Sequence, residues 1–342
     1  MQLNTQATKF LKQFAETMAT SYGVEYVNKQ FNISAPMETK LKAALLESVE
    51  FLSMITTMEV DQIKGQVVKV GNLTIATGRK SGARFVSSQD VDGHTYELTE
   101  TDSCAALTWA LLSVWANAGN ERQFMTLMSQ NATQRFALDM LRVGFNGVSA
   151  ADDTDPTANP LGEDVNKGWH QLVTEKAPDQ IMTDEVYFNP DATGELKEGE
   201  YKTLDAIVTE MKNTLIHESL RSDPRLVVLI GSDLTAAAQT AMMNKADTPT
   251  EKVAAQQMDK NIGGMRAYTP PFFPGKRIVV TTLSNLHIYT QRGTKQRKSE
   301  NVEDRKQYED KYWRNEGYAI EEYLAYAAVD EANMNIGAAP DA

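Results

Sequence analysis

Apolar residues recur every fourth position between Asn120 and Arg142: Phe124, Met128, Ala132, Phe136 and Met140, with Leu127, Leu138 and Leu141 widening the stripe. Gln123, Ser129, Gln130, Gln134 and Asp139 fall on the opposite face. That period predicts one long helix. Asn120 is placed to cap its start, and Gly144 to stop it as a left-handed residue. The same period marks the N-terminus. Phe10, Phe14, Met18 and Tyr22 form a stripe that ends at Gly23. A second helix begins after Ser34-Ala35-Pro36, with Leu41, Leu45, Val49 and Leu52 on one side and Pro36 in a tolerated first-turn position. Phe31-Asn32-Ile33 reads as an extended connector.

From Thr56 to Thr99 the pattern changes. Gln66–Val70, Leu73–Ile75, Phe85-Val86 and Tyr96–Leu98 are strand-like pieces around the basic, glycine-flanked turn Gly78–Arg84, which predicts a long hairpin. Cys104 to Ala118 is an apolar approach to the long helix. In the second half, Leu204–Leu220 predicts an amphipathic helix broken at Asp223-Pro224. Leu226–Ile230 is a continuous apolar run, hence a buried strand. Gly231-Ser232-Asp233 turns it into a helix over Leu234–Asn244. Arg277–Thr282 and Leu286–Tyr289 are further strands, and residues 291–317 are densely charged. Apolar and aromatic residues return from Gly317 to Ala328, and the tail beyond Asn335 reads as frayed. The fold class is α+β.

At 342 residues the chain can build a large core and two subdomains. No apolar run approaches the ~20 residues of a membrane helix, and no apolar signal core follows Met1–Thr5. Lys and Arg number 34 against 46 Asp and Glu, a net charge of −12. This argues against a general nucleic-acid binder, which is ordinarily basic. The one cysteine, Cys104, forms no intrachain disulfide and suits a reducing compartment.

Candidate chemistry is sparse. His94, His170, His217 and His287 have no partner at metal-ligand spacing. Asp152-Asp153-Thr154-Asp155-Pro156 lacks the glycine and distal glutamate of a calcium loop. The basic turn lacks the Gly-x-x-x-x-Gly-Lys-Ser/Thr phosphate loop and its following helix. Gly231-Ser232-Asp233, at a strand-to-helix corner, is the place where an α/β enzyme would hold a ligand, although one glycine there is a weak signal. Neither catalytic residues nor a cofactor or metal site can be assigned.

The order of parts is distinctive, and particular residues sharpen it: Val143-Gly144-Phe145-Asn146-Gly147, Asn159-Pro160-Leu161, Val165-Asn166-Lys167-Gly168-Trp169, Tyr201–Ala206, Asp223–Val228, and the region from Tyr308 to Val329. Together they resemble the major capsid proteins of peduovirus-type tailed phages, with the Hong Kong 97-type capsid fold. The resemblance implies an N-terminal arm at 1–55 and an extended loop at 56–100. It implies a peripheral domain at 101–200 with the spine helix 120–142, an axial domain at 201–282, a return to the peripheral domain at 283–330, and a tail at 331–342. It implies a subunit that forms hexamers and pentamers of an icosahedral shell around double-stranded DNA, without sequence-specific binding and without turnover. Implied partners are other copies, an internal scaffold or maturation protease, and the portal, with no membrane. Implied places are the host cytoplasm for assembly and the virion afterwards. The acidic balance suits a shell that must release DNA. On this reading Phe10, Phe14, Met18 and Tyr22 are assembly contacts of the arm, which a protease can trim near Phe31. Arg79, Lys80 and Arg84 meet carboxylates on an adjacent subunit. The competing readings are an α/β enzyme with its ligand at Gly231-Ser232-Asp233, and a tail or other interaction protein.

Overall fold

The computed structural model describes residues 3–67, 77–79, 81–82, 94–245 and 261–340. The expected strand pieces at Val68–Val70, Leu73–Ile75 and Phe85-Val86 lie outside the described residues, as do Lys80 and Arg84. The chain forms two compact units. One takes Met1–Ile63, Glu97–Gly168 and Ile288–Tyr318; the other takes Lys64–Tyr96, Trp169–His287 and Ala319–Ala342. The chain thus leaves the first unit at Gly168, where the sequence reading had a peripheral domain running on to residue 200.

The first unit is built on a sheet ordered Phe31–Asn32, Gln296–Val302, Gln307–Ile320, Leu286–Gln291 and Thr56–Val60, with Thr99–Thr108 also paired to the 14-residue strand Gln307–Ile320. The long helix spans Glu121–Asn146. Its start is a capping box: Asn120 Oδ1 accepts from Gln123 N at 3.0 Å, and Gln123 Oε1 accepts from Asn120 N at 3.2 Å. Phe124, Met128, Ala132, Phe136 and Met140 are all buried, and Leu141 with them. Leu127, on the flank of the stripe, stays 40% exposed, so it does not widen the buried face.

Gly144 does not end the helix. It is a buried helical residue, and the helix closes where Gly147 N donates to Val143 O at 2.7 Å. The glycines here serve close approach instead. A Cβ on Gly147 would lie 2.0 Å from Asn166 O, and one on Gly168 would lie 2.5 Å from Gly144 O. The backbone of residues 166–168 therefore lies directly on the last turn of the helix, where no side chain fits. The apolar approach divides into the strand Thr99–Thr108 and the helix Trp109–Ala118, which Thr108 caps through Leu111 N.

The second unit holds a mixed six-stranded sheet ordered Asn261–Ile262, Met265–Tyr268, Leu226–Ile230, Ile278–Thr282, Ala327–Val329 and Ile181–Met182. Leu226–Ile230 and Ile278–Thr282 are buried at every position, as a continuous apolar run predicts for a central strand. The amphipathic helix stops at Thr214 rather than Leu220. Beyond it the chain turns Ile216 fully into the core, and His217 N donates to Leu324 O at 3.2 Å. The tail is tied down as far as Ala339 rather than frayed. Met334–Ile336 pairs parallel with Val186–Phe188, and Lys197 Nζ donates to Ala339 O at 2.6 Å.

His94, His170 and His217 fall within the second unit, and His287 is that unit's last residue before the first resumes at Ile288, in a strand of the first unit's sheet. Burial pushes His170 below its ordinary pKa, against the pull of Asp330. Burial does the same to His287, against Glu321. A group with a lowered folded pKa leaves the unfolded chain binding more protons as pH drops through the unfolded value of about 6.5. Its stabilising share is therefore complete above that pH and is lost below it. Moving from about pH 7 to about pH 5 is expected to weaken the second unit selectively. Hydrogen exchange, corrected for intrinsic rates, checks this: amides of Leu226–Ile230 should lose protection while those of Phe124–Met140 hold. Equal loss in both would refute it.

Candidate functional site

The N-terminal helix spans Thr5–Tyr22. Asn4 Oδ1 accepts from Ala7 N at 2.6 Å, and Gly23, at φ +69°, turns its N–H back to Ala19 and Thr20. Phe10, Phe14 and Met18 are buried in one cluster with Leu107, Leu112, Ala116, Phe124, Met128 and Tyr308. The Phe10 and Phe124 rings lie 5.5 Å apart, and Phe14 meets Tyr308 edge-on at 6.1 Å. Tyr22 is half-buried against Phe31 at 5.3 Å; its hydroxyl accepts from Arg297, whose guanidinium lies 5.5 Å over the ring.

The expected assembly stripe is therefore already covered by its own chain. The physical reason is the apolar strip that Leu112, Ala116, Phe124 and Met128 offer, on which each buried Phe or Met is worth about 1.5–3 kcal/mol. For Phe10, Phe14 and Met18 to touch another subunit, the helix would have to leave this seat.

Residues 291–317 stand out in the sequence only as densely charged. Charge runs are ordinarily solvated, yet this segment supplies the middle of the first unit's sheet. Every second residue of the long strand, Tyr308, Asp310, Tyr312, Arg314, Glu316 and Tyr318, is buried. The face is a ladder of aromatics and paired charges. Arg297 donates through both Nε and Nη2 to Asp310, with Nε to Oδ1 at 2.9 Å, and Ser299 Oγ adds a bond to Oδ1 at 2.8 Å. Arg314 donates to Glu316 and, at 2.8 Å, to Ser103 Oγ. The Tyr318 hydroxyl lies 2.8 Å from Glu316 Oε1 and 2.9 Å from Met140 O, able to donate to either. Tyr312 stacks on Phe136 at 5.8 Å.

Near Tyr312 and Arg314, Lys295, 3% exposed, donates to Glu59 Oε1 at 2.6 Å and lies 3.8 Å from Glu38 Oε2. Burial opposes the charge on Glu59, but the bond and charge of Lys295 hold its carboxyl below the usual range. For Arg297 burial likewise opposes the charge, and Asp310 outweighs it and raises the guanidinium above its ordinary value. The charges of Glu59 and Arg297 are thus held inside the fold by named partners. The signal that could have revealed them is the even spacing of Tyr308, Tyr312 and Tyr318 among the charges, which puts all three on one face of a strand.

The ligand corner is filled by the chain itself. Gly231 N donates to Arg277 O at 3.0 Å and Asp233 N to Gly275 O at 3.0 Å, and a Cβ on Gly231 would lie 2.0 Å from Gly275 O. The amides that would cradle a ligand there already face backbone carbonyls. The enzyme alternative loses the site it depended on.

Residues 10–332 match the family described as phage major capsid protein, P2 family. The chain belongs to that family. It is 27% identical over 343 residues to a capsid protein of Escherichia phage P2, covering 96% of this chain and 95% of that protein. It is also 27% identical over 314 residues to the major capsid protein of Serratia phage KSP20, covering 89% of each. A chain of the satellite phage P4 procapsid, a structure that includes the size determination (Sid) protein, aligns with a TM-score of 0.75 at 26% identity, covering 98% of this chain and 99% of that one. This is a major capsid protein with the α+β, Hong Kong 97-type capsid fold. In this capsid protein Arg79 is exposed, and the short strands Lys64–Gln66 and Thr95–Glu97 pair with each other. Lys80 and Arg84, its expected companions, fall outside the described residues.

Proposed function

We propose that this capsid subunit forms hexamers and pentamers of an icosahedral shell that encloses double-stranded DNA, with no catalytic turnover of its own. The observation that carries the reading is the family match across residues 10–332, supported by the self-filled corner at Gly231. In this reading the first unit holds the peripheral domain with its spine helix, and the second contains the axial domain. Residues 1–55 act as the arm and 56–100 as the extended loop. The net charge of −12 keeps the shell from clinging to packaged DNA. An internal scaffold, a maturation protease and the portal are the partners, and assembly proceeds in the host cytoplasm before the subunit becomes part of the virion.

The basic turn sets contacts between subunits. Arg79, Lys80 and Arg84 meet carboxylates on a neighbour, and such pairs govern register and encounter more than affinity. Expression together with the phage's own assembly partners is expected to give closed, megadalton particles by light scattering and negative-stain microscopy. A chain that stays monomeric or dimeric under those conditions refutes the reading. Reversing Arg79, Lys80 and Arg84 to glutamate should leave a folded subunit that fails to close shells. Unchanged assembly at both low and high salt would remove the turn from the mechanism while leaving the shell itself intact.

A further inference from the structure

A cavity of about 220 Å³ opens between the strand Thr99–Thr108, the C-terminal half of the long helix and the loop 154–165, all within the first unit. It is smaller than a typical small-molecule site and suits one long side chain. Most of its inner charges are already matched. Arg314 donates to Glu316 and to Ser103. Asp164 accepts from Asp155 N at 2.7 Å and from Asn159 Nδ2 at 3.0 Å.

Asp139 is different. It is half-buried, and Arg142 Nη1 lies 3.2 Å from its Oδ1. Burial, with Glu316 adding to it, still pushes the carboxyl above its ordinary pKa, against the pull of Arg142, Arg135 and Arg314. A carboxylate so placed gains from a further cation. At the mouth Asp102 is exposed and in no ion pair among the described residues. Asp152 and Asp153 are exposed on the chain leading to Thr154, which lines the cavity. The cavity and its rim thus favour a cation, and the depth favours one on a flexible stem.

The chain carries the complement itself. In a protein of net charge −12, the turn Gly78–Arg84 gathers Arg79, Lys80 and Arg84, and Arg79 and Ser81 are exposed. In a shell each subunit is surrounded by copies of itself. Charge complementarity between two surfaces of one chain therefore makes a second copy the occupant.

We propose that this cavity receives a basic side chain from the Gly78–Arg84 turn of a second copy. Asp139 meets the cation inside, and Asp102, Asp152 and Asp153 steer the turn's other charges at the mouth. The inference rests on the reading of the basic turn given above and supplies its acceptor. Turn and cavity are different surfaces, so the contact runs head to tail and closes a ring rather than a two-fold pair.

Cys104 lines the cavity and is the chain's one cysteine, so a single substitution makes a trap. Ser81→Cys keeps all three cations of the turn. It is assembled with the phage's own partners, treated with a short bismaleimide and run on a denaturing gel. A ladder of multimers beyond the dimer is expected, with dimers at most once Cys104→Ser is added. Cross-linked chains of monomer mass, or no ladder, overturn the proposal.

The charges are tested separately. Asp102→Lys with Asp152→Lys and Asp153→Lys should leave the melting temperature unchanged and cut particle yield by about tenfold or more. Adding the reversal of Arg79, Lys80 and Arg84 to glutamate should restore most of that yield. Asp139→Asn should hold or raise thermal stability, since burial disfavours the charge it removes, while particle yield falls. Normal yield from the mouth reversal and from Asp139→Asn, where the turn reversal alone still blocks shells, overturns this inference and leaves the turn's role standing. Normal yield from the turn reversal alone defeats the turn reading itself. A mouth reversal that blocks assembly without any ladder from Ser81→Cys assigns the cavity to a separate protein and overturns the second copy as occupant.

Discussion

Asp310→Ala is expected to destabilise the subunit by roughly 3–5 kcal/mol, the usual cost of stranding one partner of a buried ion pair. Arg297 and Asp310 have side chains only 6% exposed each, and the guanidinium spends two of its donors on that carboxylate. Removing the acid leaves Arg297 with the Tyr22 hydroxyl as its remaining side-chain acceptor, and Ser299 without its own. Burial works against the guanidinium charge and Asp310 offsets it; arginine does not give up its proton inside a protein, so the positive charge persists after the mutation with no carboxylate opposite it. Urea unfolding checks this as a lowered midpoint at unchanged slope. Replacing both partners with apolar residues of similar volume should recover most of the loss, since a buried pair is often no more stable than good packing. A loss under about 1 kcal/mol for Asp310→Ala would mean that Arg297 reaches water and that the ladder is solvated.

Phe136→Asp is the second large effect. Phe136 is 2% exposed, stacked on Tyr312 in the middle of the long helix. The substitution forfeits an aromatic core contact worth about 3–5 kcal/mol and adds the cost of burying a carboxylate with no partner. Soluble subunit is expected to be nearly lost from expression. Leu127→Asp on the same helix is the control. Leu127 is 40% exposed, and surface changes ordinarily stay within about 0.5 kcal/mol. Comparable yields from the two variants would show that the buried stripe is drawn on the wrong side.

The elements that a sequence period reveals are those with one apolar and one polar face. The N-terminal helix, the long helix and the run Leu226–Ile230 stand where the pattern puts them. What the pattern could not reveal depends on partners distant in the chain. Gly144 carries the composition of a stop signal, but whether a glycine ends a helix or lets a backbone pass depends on where residues 166–168 lie. The dense charge of segment 291–317 was visible in the sequence, but whether a charge is buried depends on its partner. Arg297 is matched by Asp310 across a hairpin, and Lys295 by Glu38 and Glu59 from the opposite end of the sequence. The stripe Phe10, Phe14 and Met18 was legible as apolar, but not whose surface covers it. For the same reason the filled corner at Gly231 could not be told from an open one until residues 274–277 were in place.

The way the two units share the chain has a consequence for its birth on the ribosome. Neither unit is a continuous segment, and the first cannot be finished until Ile288–Tyr318 has been synthesised. The long helix emerges well before the strand whose Tyr312 covers Phe136, a delay on the order of ten seconds at bacterial elongation rates. Phe124 and Met128 can already be met by the N-terminal helix, but throughout that interval Phe136 lacks its Tyr312 cover and is open to any apolar surface nearby, including other nascent copies on the same message. Yield should therefore respond to translation speed, temperature and the supply of holding chaperones more strongly than the stability of the finished subunit would suggest.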